Sequence, residues 1–407
     1  MGKRRIYKNK AQQQKAFNKK KEGERKSLGD GYFLQYATMA NVDADNKLCF
    51  ELDGKITEIK QITDNQGYFV AFPGVIEGEW RKRLHGGLDG QIRYYYSVDE
   101  FRQGFALVSW TVQPDGRYWE DETGFGRNND EEVTLYSYMN TKGDFVTPFA
   151  EFHPRRYMES LEVFESRTIG FMEDSIPSGH ELWVQESVKE KVDREGDYKP
   201  FFGNTVVFPL EGEMLAYMEE IQKKVSVIRE DPEICNQGQY VAKTLKKETY
   251  HITLHDLTYD LNKEKADEKI RATEKGALYI IKKLREMEFP VIKMEPVYLF
   301  SMNSTALVLG FRAIDEEHQK NLMMLYELFQ TVVELPRPLT PHGTITYFKY
   351  AKRHDSWKIR GVRNLINEVN EQIQRDQAAG VNPIVELDVK KLAYQHFSSM
   401  NHYDTIG

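Results

Sequence analysis

Two segments, "ETYHITLHDL" at 248–257 and "LTPHGTITYF" at 339–348, each set a His-x-Thr-apolar run among β-branched residues, which predicts a strand in both places. Side chains two apart on a strand share a face. His251 and Thr253 therefore point together, as do His342 and Thr344, while Ile252, Leu254, Gly343 and Ile345 turn into a core or a tight backbone contact. Each segment follows a predicted helix, and the histidines stand 91 residues apart, 251 to 342, in corresponding places of two similar halves. The expected fold class is α+β, with two strand–helix–strand halves around a cleft. The halves share element order, and no clear residue-level repeat is evident.

The surrounding elements follow from periodicity. "NTVVFPL" (204–210) reads as a buried strand, and Met214, Leu215, Met218, Ile221 and Val225 keep helical spacing. Another helix runs through "GALYIIKKLREM" (276–287). It leads to paired strands at 289–300 and 305–314, joined by the "SMNS" turn. Leu322, Leu325, Leu328 and Phe329 mark a further helix, and Ile359, Val362, Leu365, Ile366, Val369 and Ile373 another. The run 384–398 closes the chain as one strand-like stretch. These elements fill a domain at 198–407, preceded by a connector at 153–197 rich in charge.

Residues 27–152 form an expected small β-rich module, with Gly and Asp-Gly breaks at hairpin spacing. Phe101, Gly104, Ala106, Val108, Tyr138, Gly143, Val146 and Pro148 resemble one unit of a WG repeat, although Tyr136 and Ser137 stand near the place of the usual Trp-Gly pair. Such a module would take a protein partner.

Two imidazoles and two hydroxyls in one small volume suit acid–base work on a phosphodiester. Imidazole titrates nearest neutrality, so one ring can take a proton from water or a 2′-hydroxyl while the other delivers one to the leaving oxygen. The Thr hydroxyls, with backbone N–H groups, would hold the non-bridging oxygens. No cofactor or metal is needed. His255 completes "HITLH", but on a strand that separation spans about 13 Å, too far for a shared zinc ion. Arg337 and Lys349 flank the second motif and would meet phosphate, while Tyr250 and Tyr347 would stack a base. Asp256 and the pair His354 and Asp355 read as plain surface. His396-Phe397-Ser398 is only a partial motif, because Ser399 fills the apolar fourth place.

The bulk composition allows such a site without demanding it. The chain of 407 residues carries net charge −7 and is 40% apolar, enough for sizeable cores but not for general attraction of nucleic acid. The exception is the tail at 1–26, with eleven Lys/Arg against two Glu, which reads as a solvated arm or a polyanion contact. Cys49 and Cys235 lie far apart in unlike contexts, and no apolar run is long enough to span a membrane. A cytoplasmic location is expected.

The paired motifs resemble the 2H phosphoesterase superfamily, which includes 2′,3′-cyclic nucleotide phosphodiesterases and RNA-ligase-like phosphoesterases, over roughly residues 198–400. The resemblance implies a bilobal α+β fold, His251 and His342 as the acid–base pair, and Thr253 and Thr344 as phosphate holders. Gly343 departs from the apolar residue usual at its place. The implied reaction is metal-independent hydrolysis of a 2′,3′-cyclic phosphate or a related cyclic or 2′-linked nucleotide bond. The alternatives are 2′–5′ joining of RNA ends and non-catalytic nucleotide sensing.

Overall fold

The computed structural model describes residues 25–29, 32–36, 48–52, 55–59, 68–71, 97–99, 101–112, 133–140, 145–148, 150, 152–156, 159–174, 181–182, 186–230, 241–349, 354–355 and 360–406. The chain divides into two units, 1–154 and 155–407. Most of the basic tail, through residue 24, lies outside the described residues, as do Gly143 and Cys235.

In the first unit, β1 (Arg25–Gly29), β2 (Tyr32–Tyr36) and β5 (Tyr68–Ala71) form one sheet. β3 (Leu48–Leu52) and β4 (Lys55–Ile59) pair antiparallel, with Leu52 opposite Lys55. β6 (Ser97–Val98), β7 (Phe105–Val112) and β8 (Val133–Asn140) form a second three-stranded sheet. Phe101, Phe105, Val108, Tyr138 and Val146 are buried there, and Gly104 takes a left-handed φ of 82° at the turn into β7.

The second unit contains helices α1 (Leu161–Asp174), α2 (Val188–Lys191), α3 (Gly212–Glu230), α4 (Lys263–Arg285), α5 (Glu316–Phe329) and α6 (Arg360–Ala379). Besides a short pair, β9 (Glu181–Leu182) with β15 (His354–Asp355), its strands are β10 (Phe202–Pro209), β11 (His251–Asp260), β12 (Ile292–Met302), β13 (Ala306–Ala313), β14 (His342–Tyr347), β16 (Val385–Leu387), β17 (Ala393–Ser399) and β18 (His402–Thr405). These eight form one sheet in the order β16-β12-β13-β14-β11-β10-β17-β18, antiparallel throughout. The expected α+β class is the one observed. Each His-x-Thr strand belongs to a four-stranded half, and the halves meet at a β11–β14 seam registered by Ile252 opposite Gly343.

One element differs from expectation. The stretch 384–398 is not one strand, because the Asp388 side chain accepts a hydrogen bond from Lys390 N at 2.9 Å and caps a short 3-10 turn. The turn sends β16 to one edge of the sheet and β17 to the opposite half. Within 153–197, α1 packs on β12 and β13, with Met172 buried against Val297, Phe300, Ala306 and Val308.

Both faces of the sheet are thus used. Ile252, Leu254 and Ile345 are buried on the back, where α3 packs on β14, α4 on β10 and β11, and α5 on β11 and β13. Met218 of α3 packs closely over Gly343: a Cβ there would come 2.8 Å from the Met218 methyl. On the front, α1 covers the outer strands of the second half. The rings of Tyr259, Phe201, Phe397 and Tyr403 form a chain of contacts over the first half, with centroids 5.2, 5.9 and 5.6 Å apart in successive pairs. Between them the front of β11 and β14 carries the two motifs.

Candidate active site

Because Ile252 faces Gly343 in an antiparallel pair, Thr344 falls opposite His251 and His342 opposite Thr253. All four side chains are half-buried, while the residues between them are buried on the other face. The two imidazoles therefore sit diagonally on neighbouring strands, each with the hydroxyl of the other motif beside it.

The alternation then breaks, in both strands at the same place. Thr253 pairs with Val207 and His255 with Val206, leaving Leu254 without a partner. Thr344 pairs with Val308 and Thr346 with Leu307, leaving Ile345 without one. A bulge of this kind puts two successive side chains on one face. The fourth residue after each histidine, His255 or Thr346, is accordingly buried on the back. The fifth, Asp256 or Tyr347, returns to the front. His255 packs against Tyr326 and Phe329 with its Nε2 3.1 Å from Gln330 Nε2, a core histidine with a hydrogen-bond partner. Among the described residues, no group of three or more His, Cys, Asp or Glu is placed to hold a metal ion.

Asp256, which reads as plain surface in the sequence, forms an ion pair with Arg337 at the rim. Arg337 is held in turn by its carbonyl, which accepts from Tyr326 OH at 2.8 Å. The expected base-stacking residues separate. Tyr347 lies on the site face, T-shaped to Tyr198 with centroids 6.1 Å apart, its hydroxyl donating to Met400 Sδ at 3.1 Å. Tyr250 is buried one residue out of phase with His251, and its hydroxyl donates to Gln222 Oε1 at 3.1 Å. Lys349 lies two residues beyond Tyr347, with its stem beside Gly196, where an added Cβ would come 2.8 Å from its Cε.

Three contributors escape the sequence reading. Tyr403 sets its ring edge-on to His251, centroids 5.0 Å apart. Lys191, at the end of α2, reaches over the Tyr347 ring. A threonine precedes each histidine by two places: the Thr340 carbonyl accepts from His342 Nδ1 at 2.7 Å, and the Thr249 carbonyl lies on the corresponding side of His251, there without hydrogen-bond geometry. The halves thus do share a residue pattern, Thr-x-His-x-Thr. With Nδ1–H engaged by a carbonyl, the Nε2 of a neutral ring is left to take a proton.

Burial dominates the electrostatics. It lowers the pKa of His251 to about 4, helped by the charge of His342 and opposed by Asp256 and the Thr249 carbonyl. His342 is also lowered, first by burial and then by Arg337 and Lys191, against the Thr340 carbonyl and Asp256. Each protonated ring disfavours protonation of the other, so the pair takes its second proton only in stronger acid than its first. Burial also raises the Tyr347 and Tyr403 hydroxyls well above the usual range, keeping both neutral donors.

No protein family matches the sequence, and no curated protein does. Among solved structures, the chain is similar to a conserved protein of unknown function from Agrobacterium tumefaciens. The identity is 17%, the match covers 55% of this chain and 92% of that one, and the TM-score is 0.38. It is also similar to E. coli LigT, at 12% identity in both forms. For apo LigT the match covers 51% of this chain and 96% of that one, with a TM-score of 0.26. For LigT complexed with 3′-AMP the figures are 51%, 97% and 0.27. Among the described residues, no helix is long and apolar enough to cross a membrane.

Proposed function

We propose that the front of β11 and β14 is a phosphodiesterase site that hydrolyses a 2′,3′-cyclic phosphate, or a related cyclic or 2′-linked nucleotide bond, by two-histidine acid–base catalysis. The observation that carries the reading is the diagonal pair, His251 beside Thr344 and His342 beside Thr253, on one open face over a buried back. The neutral ring takes a proton from water as its oxygen attacks phosphorus. The protonated ring gives its proton to the departing 2′- or 3′-oxygen, leaving a phosphomonoester and a free hydroxyl, with the proton moved from one histidine to the other. Thr253 and Thr344 hold the non-bridging oxygens as charge builds, and Arg337 at the rim supplies a cation beside them. Both proton transfers are supplied by side chains, so the step requires no metal ion.

The test is turnover of 2′,3′-cyclic nucleotides and 2′-linked oligonucleotides by the full chain, with and without EDTA. Hydrolysis that survives chelation and is lost in His251→Ala and His342→Ala supports the reading. Tight nucleotide binding without turnover would make the site a sensor instead. Complete dependence on added zinc or manganese would overturn the two-histidine mechanism.

A further inference from the structure

Lys191 stands apart from the two motifs in sequence and beside them in space. It closes α2, a single turn lying 60 residues before His251. Its Nζ sits 5.0 Å from the centroid of Phe201 and 5.6 Å from that of Tyr347, and Tyr347 shares the front of β14 with His342 and Thr344. Its neighbour Lys189 pairs with Glu186, and Lys243 pairs with Asp197. The Lys191 ammonium forms no ion pair among the described residues. Burial lowers its pKa, with Arg337 acting the same way and Asp256 and Glu190 opposing, and its charge is felt at His342. A desolvated ammonium without a carboxylate is costly by itself and is relieved when an anion arrives. The two ring faces hold the ammonium itself, and one of them, Tyr347, stands on the front of β14 with His342 and Thr344.

We propose that Lys191 is a substrate-binding residue whose ammonium holds the phosphate of the bound nucleotide against His342 and the two threonines. The proposal rests on the phosphodiester reading and adds to it a cation that neither His-x-Thr half supplies. Phosphate then serves as the counter-ion the apo site lacks, and its charge raises the proton affinity of the histidine pair when substrate is present. The charged and titratable groups around His342 are His251 and Asp256 on β11, Arg337 on the loop before β14, Tyr347 on its own strand, Tyr403 on β18, and Lys191.

The test compares Lys191→Met, which keeps the length and packing of the stem, with Lys191→Arg, which keeps the charge. Binding of 3′-AMP and of adenosine to the full chain is measured by calorimetry. The His342 ring is titrated by proton NMR in the free protein, its resonance assigned against His342→Ala. Lys191→Met should weaken 3′-AMP by about tenfold or more, leave adenosine within about twofold, and raise the pKa of His342 because a nearby positive charge is gone. Lys191→Arg should lie between Lys191→Met and wild type. Equal losses for the two ligands would make Lys191 a packing residue and overturn the proposal. Unchanged 3′-AMP binding with an unmoved His342 titration would also overturn it, without touching the phosphodiester reading. Wild-type protein that binds 3′-AMP no better than adenosine would overturn both.

Discussion

Leu254 and Ile345 are the same bulge used twice: each is the unpaired residue that follows the threonine of its motif, and each moves the front face from the fourth residue after the histidine to the fifth. Asp256 and Tyr347 therefore share the front face with the two motifs, and His255 and Thr346 do not. The free protein should show a bell-shaped kcat/KM profile on the acid side of 6.5, since one ring must be neutral and the other protonated, and burial lowers both. Asp256 raises both values, so Asp256→Asn should move the whole bell to lower pH. The exposed Asp256–Arg337 pair contributes at most about 1 kcal/mol to stability, so the fold should survive. A bell that stays in place would remove Asp256 from the site.

His251→Ala and His342→Ala should each abolish turnover while leaving the circular-dichroism spectrum and melting temperature near wild type, because both rings line an open face. Thr253→Ala and Thr344→Ala should each lower the rate by about 10²-fold without moving either limb, since hydroxyls hold charge and do not titrate in this range. Tyr250→Phe serves as the control: its hydroxyl bonds Gln222 on the back face, so turnover should stay within about twofold. A threonine variant that shifts a limb, or a Tyr250→Phe protein that loses turnover, would mean the faces are assigned wrongly.

The two motifs and the α+β class were legible because period-two alternation and helical spacing are local signals. The bulges were not, since an extra residue in a strand leaves no mark on composition. Strict alternation past Thr253 would put His255 rather than Asp256 on the front. The Thr-x-His-x-Thr pattern was present in the letters, but Thr340 acts through its carbonyl, which no side-chain pattern announces. Lys191 and Tyr403 were hidden for another reason: they reach the site from α2 and β18, and only tertiary packing brings them there.

Truncation separates the covering helix from the strands it covers. Removing α1 would expose Val297, Phe300, Ala306 and Val308, which pack on Met172, and would strip the carboxylates that Arg312 and Tyr298 bind on Glu165 and Glu173. A fragment from residue 155 to the end is expected to fold and to turn over substrate. One beginning at 185 should be insoluble or should melt far below it, since an apolar cluster of that kind left in water promotes association. Equal melting temperatures for the two soluble fragments would show that α1 contributes nothing to the core.

Acid should weaken the fold through its buried histidines. His255 is 1% exposed and burial lowers its pKa from 6.5 to about 4. The folded protein therefore binds fewer protons than the unfolded chain between those values. Stability is complete above 6.5 and is lost as the pH falls toward 4. One such group gives up roughly 3 kcal/mol across that window. His251, also lowered to about 4, adds a loss of the same sign. The two separate by ligand, because a bound phosphate restores proton affinity at His251 and leaves His255 untouched behind the sheet. Urea unfolding at pH 7.5 and pH 5 should show a smaller pH-dependent loss in His255→Gln than in wild type, whatever the packing cost at pH 7.5. Adding 3′-AMP should reduce the acid loss in both proteins by the same amount. An identical pH dependence in wild type and His255→Gln would mean that His255 is not held neutral in the core.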